Sequence, residues 1–500
     1  MHLYRPTRAA RPAAVAAAAA VLGAGCLPST WVARRAPPPA QVAREEAARA
    51  AVAAPEPAPR AATPAPPAAA PRSLADLLDL ALAQDPATRA AWFDARAAAA
   101  QSGSRRAAWL PSLDATLVLS RQRTGATGRV GESPARSEST QSTLTPTATL
   151  SWLLLDAGVR SALVRESDLL FSAARLGEVA AVSDLVLRVQ QSYFGYLGAR
   201  ALVEAETAAV KQAEASLAAA QARQRAGLST VADVLQARTA LSQTRLALQQ
   251  VEGQALALRG GLATLAGLPP TADLDVGSLP AEVDVTAAQP AVEELLAAAE
   301  ARNPDVGRAR ATADAAAARA RAAARAPWPT LSFQANALQP FYVAPSGVDS
   351  SPGWLVGLVL RLPTLEGLGL RAAYDVLAAR ASADAARARA DATAQRVALD
   401  VWTGYQAVRT AGGRIATSRD LLEAARASAE VAHGRYREGV GSIVDLLNAQ
   451  AALELALAES ARARADYLVS LAQLARAAGR LDAVPPAPAP PDGPGGTPHP

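Results

Sequence analysis

Lysine is almost missing from this chain. Lys211 is the only one, and arginine carries the rest of the positive charge. The net charge is +5, and no basic patch is interleaved with aromatics, which argues against a nucleic-acid partner. Cys26 is the single cysteine, so no disulfide forms within the chain. His2, His433 and His499 are too scattered to supply a metal cluster. No paired carboxylates in a cleft-like context, Ser/His/Asp arrangement or phosphate-cradling glycine loop is present, so neither catalysis nor a cofactor is expected. Aromatics are also scarce, at 4% of a chain that is 50% hydrophobic. Alanine fills the difference. It is the best helix former and lets helices approach closely, which suits elongated helical packing better than a thick globular core.

At the N-terminus Arg5, Arg8 and Arg11 precede an apolar run, Ala13–Leu22, then Gly23, Ala24, Gly25 and Cys26. This is a secretory signal pattern over residues 1–25, too short to span a bilayer as a mature helix. Its removal lowers the net charge to about +2. Cys26 after small residues resembles the lipobox of bacterial lipoproteins, in which the thiol receives lipid. Leu22 stands four places before it rather than the favoured three, and ordinary cleavage leaving a free thiol is the alternative. Leu27 after the cysteine resembles lipoproteins sorted to the outer membrane. Residues 26–72 are a Pro/Ala-rich linker and 481–500 a disordered Pro/Gly-rich tail.

The middle of the chain is written twice. Asp85-Pro86 matches Asn303-Pro304, Leu77 matches Leu295 and Pro111 matches Pro329, all 218 residues apart. Gly158 and Arg160 match Gly369 and Arg371 at 211, and the spacing then holds at 212 from Tyr193/Tyr405 to Gly267/Gly479. One Gly/Ser-rich loop, about Gln122–Thr143 against about Tyr342–Gly353, absorbs the change. Residues 73–268 and 291–480 are therefore two structural repeats, with 269–290 as connector. Each reads helix, strand, loop, strand, long helix, tip, helix.

Four segments alternate with period two: Ser112–Ser120, Leu144–Trp152, Leu331–Ala337 and Trp354–Leu362. Each has one apolar and one polar side. An ordinary half-buried sheet has that pattern, but ~9 residues is also the length of a membrane-barrel strand. Trp152 and Trp354 stand at strand ends, as an interfacial belt requires. Pro146 removes a ladder donor and is expected near a strand end or bulge. Four strands cannot close a roomy barrel, so several chains must contribute.

Val159–Arg225 and Leu370–Arg437 are almost free of proline and reach ~100 Å each as continuous helices. The returning segments carry a heptad series, Val234, Leu241, Leu248, Ala255, Leu262 and, in the second copy, Leu446, Leu453, Ser460, Tyr467, Leu474. That places these residues against neighbouring helices. The breaks between outgoing and returning helices are alike: Gly227 matches Gly439, Asp233 matches Asp445 and Leu235 matches Leu447. Each glycine ends a helix in the left-handed conformation, and Ser229 or Ser442 caps the next one.

The duplicated order, Leu-Asp-Ala-Gly-Val-Arg at 155–160 and the tip Arg-Tyr-Arg-Glu-Gly-Val-Gly-Ser-Ile-Val-Asp-Leu-Leu-Asn-Ala-Gln at 435–450 resemble the TolC-like outer-membrane factor family over about 73–480. Leu365–Gly369 is a degraded second copy of the first motif. The resemblance implies a mainly α fold with a membrane β-barrel portion: duplicated helical hairpins form an α-barrel tunnel, and four strands per chain join a trimeric twelve-stranded barrel. It implies an outer-membrane exit duct for efflux or type I secretion. Its partners would be outer-membrane lipids, a periplasmic adaptor (membrane fusion) protein and an inner-membrane pump, proton-driven RND-type rather than ABC-type. It also implies an entrance ring of carboxylates at Asp445, with Asn448 uncharged at a second acidic position. An inter-helix lock would pair Asp233 with Tyr436, and Gly441 would replace an arginine of a further link. Asp445 as a plain helix cap, and Tyr436 as plain tip packing, are the alternative readings. For the whole chain the alternative is a non-conducting periplasmic coiled-coil lipoprotein.

Overall fold

The structure, a computed structural model, describes residues 72–130, 133–285, 291–342, 351–363 and 369–480. The signal segment, Cys26, nearly all of the linker, the C-terminal tail and positions 365–368 of the degraded motif lie outside them.

Each half of the chain contributes two short helices, a strand hairpin and a long helical hairpin. The first half holds α1 (Leu74–Gln84), α2 (Pro86–Ala107), β1 (Ser112–Val130), β2 (Ser133–Leu155), α3 (Val159–Arg225) and α4 (Val231–Leu265). The second holds α5 (Val292–Arg302), α6 (Pro304–Arg325), β3 (Thr330–Leu338), β4 (Phe341–Tyr342), β5 (Gly353–Arg361), α7 (Leu370–Arg437) and α8 (Ile443–Ala477). No described helix is long and apolar enough to cross a membrane.

The chain divides into two compact units. One comprises residues 103–163 and 321–376 and holds the sheet. The other, residues 164–320 and the flanking helical segments, holds most of the helices.

The helical unit has two cores built on the same plan. Leu77, Ala81, Leu185, Val189, Leu262 and Ala266 belong to one buried cluster. Leu295, Ala299, Val397, Val401, Leu474 and Ala478, at the repeat offsets, belong to the other. Thus α1 and α5 each pack against the middle of the outgoing long helix and the end of the returning one. The heptad positions are buried or half-buried throughout α4 and α8.

In the sheet unit the strands run in the order β1-β2-β3-β5, with β4 also on β2. Two expectations need correction. Gln122–Thr143 is not a loop: β1 and β2 stay paired in unbroken register from Ser112↔Ser151 to Val130↔Ser133. Polar, Thr/Ser-rich sequence reads as loop, but its one proline, Pro134, pairs with Arg129 next to the last pair of the ladder, so nothing before the hairpin's end interrupts it. Nor is Pro146 at an end of β2, where it pairs with Leu117. Its carbonyl accepts from Gln339 N at 3.1 Å, so its missing N–H falls on that same side, where the partner is interrupted between β3 and β4.

Candidate functional site: the strand face and the helical tips

Directly opposed residues of antiparallel strands share a face. Leu113, Leu150, Ala335 and Val356 form one such row across all four strands, and Ala115, Ala148, Ala337 and Trp354 the next. Trp152, Phe333 and Leu358 continue it on one side, and Leu119, Leu144 and Phe341 on the other. The opposite face carries Ser112, Ser151 and Gln334, then Asp114, Thr149 and Asn336. So the sheet has a continuous apolar face and a mostly polar one. From Leu144 to Leu155 β2 rises about 36 Å, or roughly 28 Å at a ~40° tilt, close to the height of a bilayer's apolar band.

Among the described residues nothing in the unit covers this face. Leu117 is 68%, Leu119 73%, Leu358 65% and Trp354 80% exposed. β1 and β5 end the sheet with unpaired edges among the described residues. Exposed apolar surface and open edges on this scale are a liability in water. Just beyond Leu119 and Leu144, Ser120, Arg121, Gln122 and Arg123 and their partners Thr140, Gln141, Ser142 and Thr143 are polar on both faces, which suits water rather than hydrocarbon.

The strand-to-helix junction explains the motif at 155–160. Asp156 accepts from Arg160 N at 2.7 Å and from its Nε at 3.1 Å. The guanidinium also donates to the carbonyls of Ala108 and Leu154, at 3.3 and 3.2 Å. It stacks over the Trp109 ring at 4.3 Å. Trp152 Nε1 donates to the Trp109 carbonyl at 3.0 Å. The pair is 93% buried and almost every hydrogen-bonding group in it is used. A buried ion pair is tolerable only on those terms.

At the helical tips Gly227 and Gly439 adopt φ of +75° and +81°. Leu228 N bonds Arg223 O at 2.8 Å and Val440 N bonds Arg435 O at 2.9 Å, the helix-closing pattern a left-handed residue allows. Gly441 serves closeness instead: a Cβ there would lie 3.0–3.1 Å from Arg435 Cβ and C and Tyr436 N. The cap of α4 is Thr230, not Ser229. Thr230 and Asp233 form a reciprocal capping box, as do Ser442 and Asp445 before α8. Thr230 is the true counterpart of Ser442 at offset 212, whereas Ser229 donates to Ala220 O at 3.3 Å.

Asp445 and Asn448 stand exposed, three residues apart on α8. The Asp445 side chain accepts from Ser442 N at 3.4 Å, so it caps its helix while remaining exposed. Asp233 and Tyr436 are brought near each other but not bonded. Asp233 accepts from Thr230 N at 2.9 Å, and the buried Tyr436 hydroxyl has no hydrogen-bond partner. Burial pushes the Tyr436 phenol above its ordinary value, Arg223 pulls it back and Asp233 adds to the rise. At the tips the two hairpins are joined through Arg223, which sequence reading missed. Its Nη1 donates to the Tyr436 carbonyl at 2.6 Å and its guanidinium lies 4.9 Å from the ring centre. The one sequence signal was its position, matched to Arg435 at offset 212.

The family model described as outer membrane efflux protein matches residues 77–268 and 295–480. Protein CyaE of Bordetella pertussis is 29% identical over 396 residues, 76% of this chain and 78% of that protein. The outer-membrane channel OprN superposes with a TM-score of 0.71 at 23% identity, covering 81% of this chain and 89% of that one. The outer membrane protein VceC from Vibrio cholerae superposes with a TM-score of 0.69 at 20% identity, covering 81% and 96%. Matched in both halves, with the duplicated hairpins and the strands in place, the chain belongs to the outer membrane efflux protein family.

Proposed function

We propose that this chain is one subunit of a homotrimeric exit duct in the outer membrane, passively conducting solutes from the periplasm outward. The observation that carries this is the uncovered apolar band running across four strands whose two edges are unpaired. Four strands cannot enclose a channel, and twelve can. Three copies would pair edge to edge, set the apolar face against lipid and turn the polar face to a water-filled lumen. The helices support the same reading: Leu246, Leu399, Trp402, Leu421 and Leu455 are exposed on them and suit contact with neighbouring subunits.

The helical tips form the periplasmic entrance, where three copies of Asp445 ring the axis and favour cations over anions. Asn448 adds a polar, uncharged ring. Arg223 on Tyr436 holds the two tips of a subunit together. The duct meets a periplasmic adaptor and an inner-membrane pump, a proton-driven one in preference to an ABC-type one, and performs no chemistry itself. Lipidation at Cys26 adds an outer-membrane anchor. A non-conducting periplasmic scaffold would use the long helices and leave the apolar band without a purpose.

Purified protein incorporated into planar bilayers tests this. Trimers should give discrete conductance steps, and Asp445→Asn should lower cation-over-anion selectivity severalfold. A stable monomer without conductance overturns the duct. Unchanged selectivity in the variant overturns the Asp445 ring alone.

A further inference from the structure

One acidic side chain deep in the helical unit is incompletely satisfied. Glu206 projects from α3 with 7% of its surface exposed, and its Oε2 has no hydrogen-bond partner. The Glu454 carboxyl on α8 lies within hydrogen-bonding reach of it. The two helices are held together on either side. Leu202 packs with Ala458 and Ala461 above the pair. Toward the tips, Gln450 Nε2 donates to Ser216 Oγ at 3.0 Å. Glu206 and Glu454 therefore face each other across the contact between the first hairpin and the second.

Both line a cavity of about 820 Å³. Of the charged groups around it, α7 contributes Arg426, Glu430 and His433, α8 contributes Glu454 and Arg462, and α4 only the neutral Gln243 and Thr244. Two carboxylates in contact in such a place repel each other, and a proton between them removes the repulsion and supplies the missing donor.

We propose that Glu206 and Glu454 form a proton-binding site joining the two helical hairpins, in which one shared proton ties α3 to α8. On release the proton passes to water in the cavity, both carboxylates are left charged, and the hairpins loosen. Burial is the largest influence on Glu206 and raises it from 4.5 to about 7; the charge and hydrogen bond of Glu454 add to the rise and Arg462 opposes it. The sign follows from proton counting. Between 4.5 and about 7 the packed hairpins hold more protons than separated ones. Their attachment therefore weakens as pH rises through that window and is level above it. His433 lines the same cavity, so the test has to separate it from the carboxyls.

Infrared difference spectra of the full-length protein in detergent, taken between pH 6 and pH 8, read the carboxyl directly. The wild type should show a carboxylic-acid carbonyl band at pH 6 that is lost with a midpoint near 7. Glu206→Gln should abolish it, and His433→Gln should leave it. Glu454→Gln removes the like charge and should move the midpoint down. Absence of the band in the wild type, or its survival in Glu206→Gln, overturns the site. If Glu206→Gln fails to fold, a midpoint unmoved in Glu454→Gln overturns the pairing. The readout needs no conductance, so failure of the duct leaves it intact.

Discussion

The two halves of the chain share a plan but not their anchors. At the first strand-to-helix junction, Arg160 is buried against Asp156 and makes further bonds to Ala108 and Leu154. Its counterpart Arg371 is 80% exposed and faces Asp375 at 3.9 Å. At the tips the order is reversed. The second tip has a small core of its own, Tyr436, Ile443 and Leu446. The corresponding positions of the first are Gln224, which is exposed, Val231, which is 60% exposed, and the half-buried Val234. The first half is fastened where strands become helices, and the second where the helices turn. After duplication each turn kept its backbone pattern, while the side chains that fix it diverged.

The largest difference should appear at the junctions. Asp156→Ala leaves the Arg160 guanidinium buried without its counter-ion, a loss of about 3–5 kcal/mol. Arg371→Ala removes a long, exposed pair and should cost no more than about 0.5 kcal/mol. Thermal unfolding of the purified variants measures both. Equal losses would mean that the second junction is anchored as firmly as the first.

Alternation and duplication made much of this fold legible. Strand identity, the offsets between the two repeats and the faces of α4 and α8 all follow from residue spacing, because each is a periodic pattern. The extent of the β1–β2 hairpin did not, since Ser and Thr serve loops and solvated strands alike. The tip glycines were legible, each being at a position that only a residue free of Cβ takes easily. The capping residue was misread at Ser229 because two hydroxyl residues stand side by side, and the repeat offset, applied strictly, selects Thr230. Arg223 and the Glu206–Glu454 contact could not be read. They depend on how two hairpins more than 200 residues apart in sequence are packed, and no spacing along one helix encodes that.

A middle-sized effect separates the tips themselves. Gly441 corresponds to Ser229, and exchanging them tests how tightly each turn is closed. Gly441→Ser forces a Cβ against the backbone at Arg435 and Tyr436, for a loss of about 1–3 kcal/mol. Ser229→Gly removes one weak bond to Ala220 and should cost less than about 1 kcal/mol. Reversed magnitudes in thermal unfolding would show the first tip to be the rigid one.

The smallest effect carries the sharpest distinction. If Asp233 held Tyr436 through its hydroxyl, Tyr436→Phe would loosen the entrance. The hydroxyl instead lies buried with no partner, and a phenyl ring keeps everything Arg223 uses, the π face and the backbone carbonyl. Tyr436→Phe should therefore leave bilayer conductance unchanged and raise stability by up to about 1 kcal/mol, the cost of one orphaned polar group. Arg223→Ala removes both of its contacts with Tyr436, the hydrogen bond to the carbonyl and the stacking on the ring, and should increase the open fraction. A leaky Tyr436→Phe with a tight Arg223→Ala would return the lock to Asp233. It would also mean that the second tip is held through its phenol and not through the arginine lent by the first.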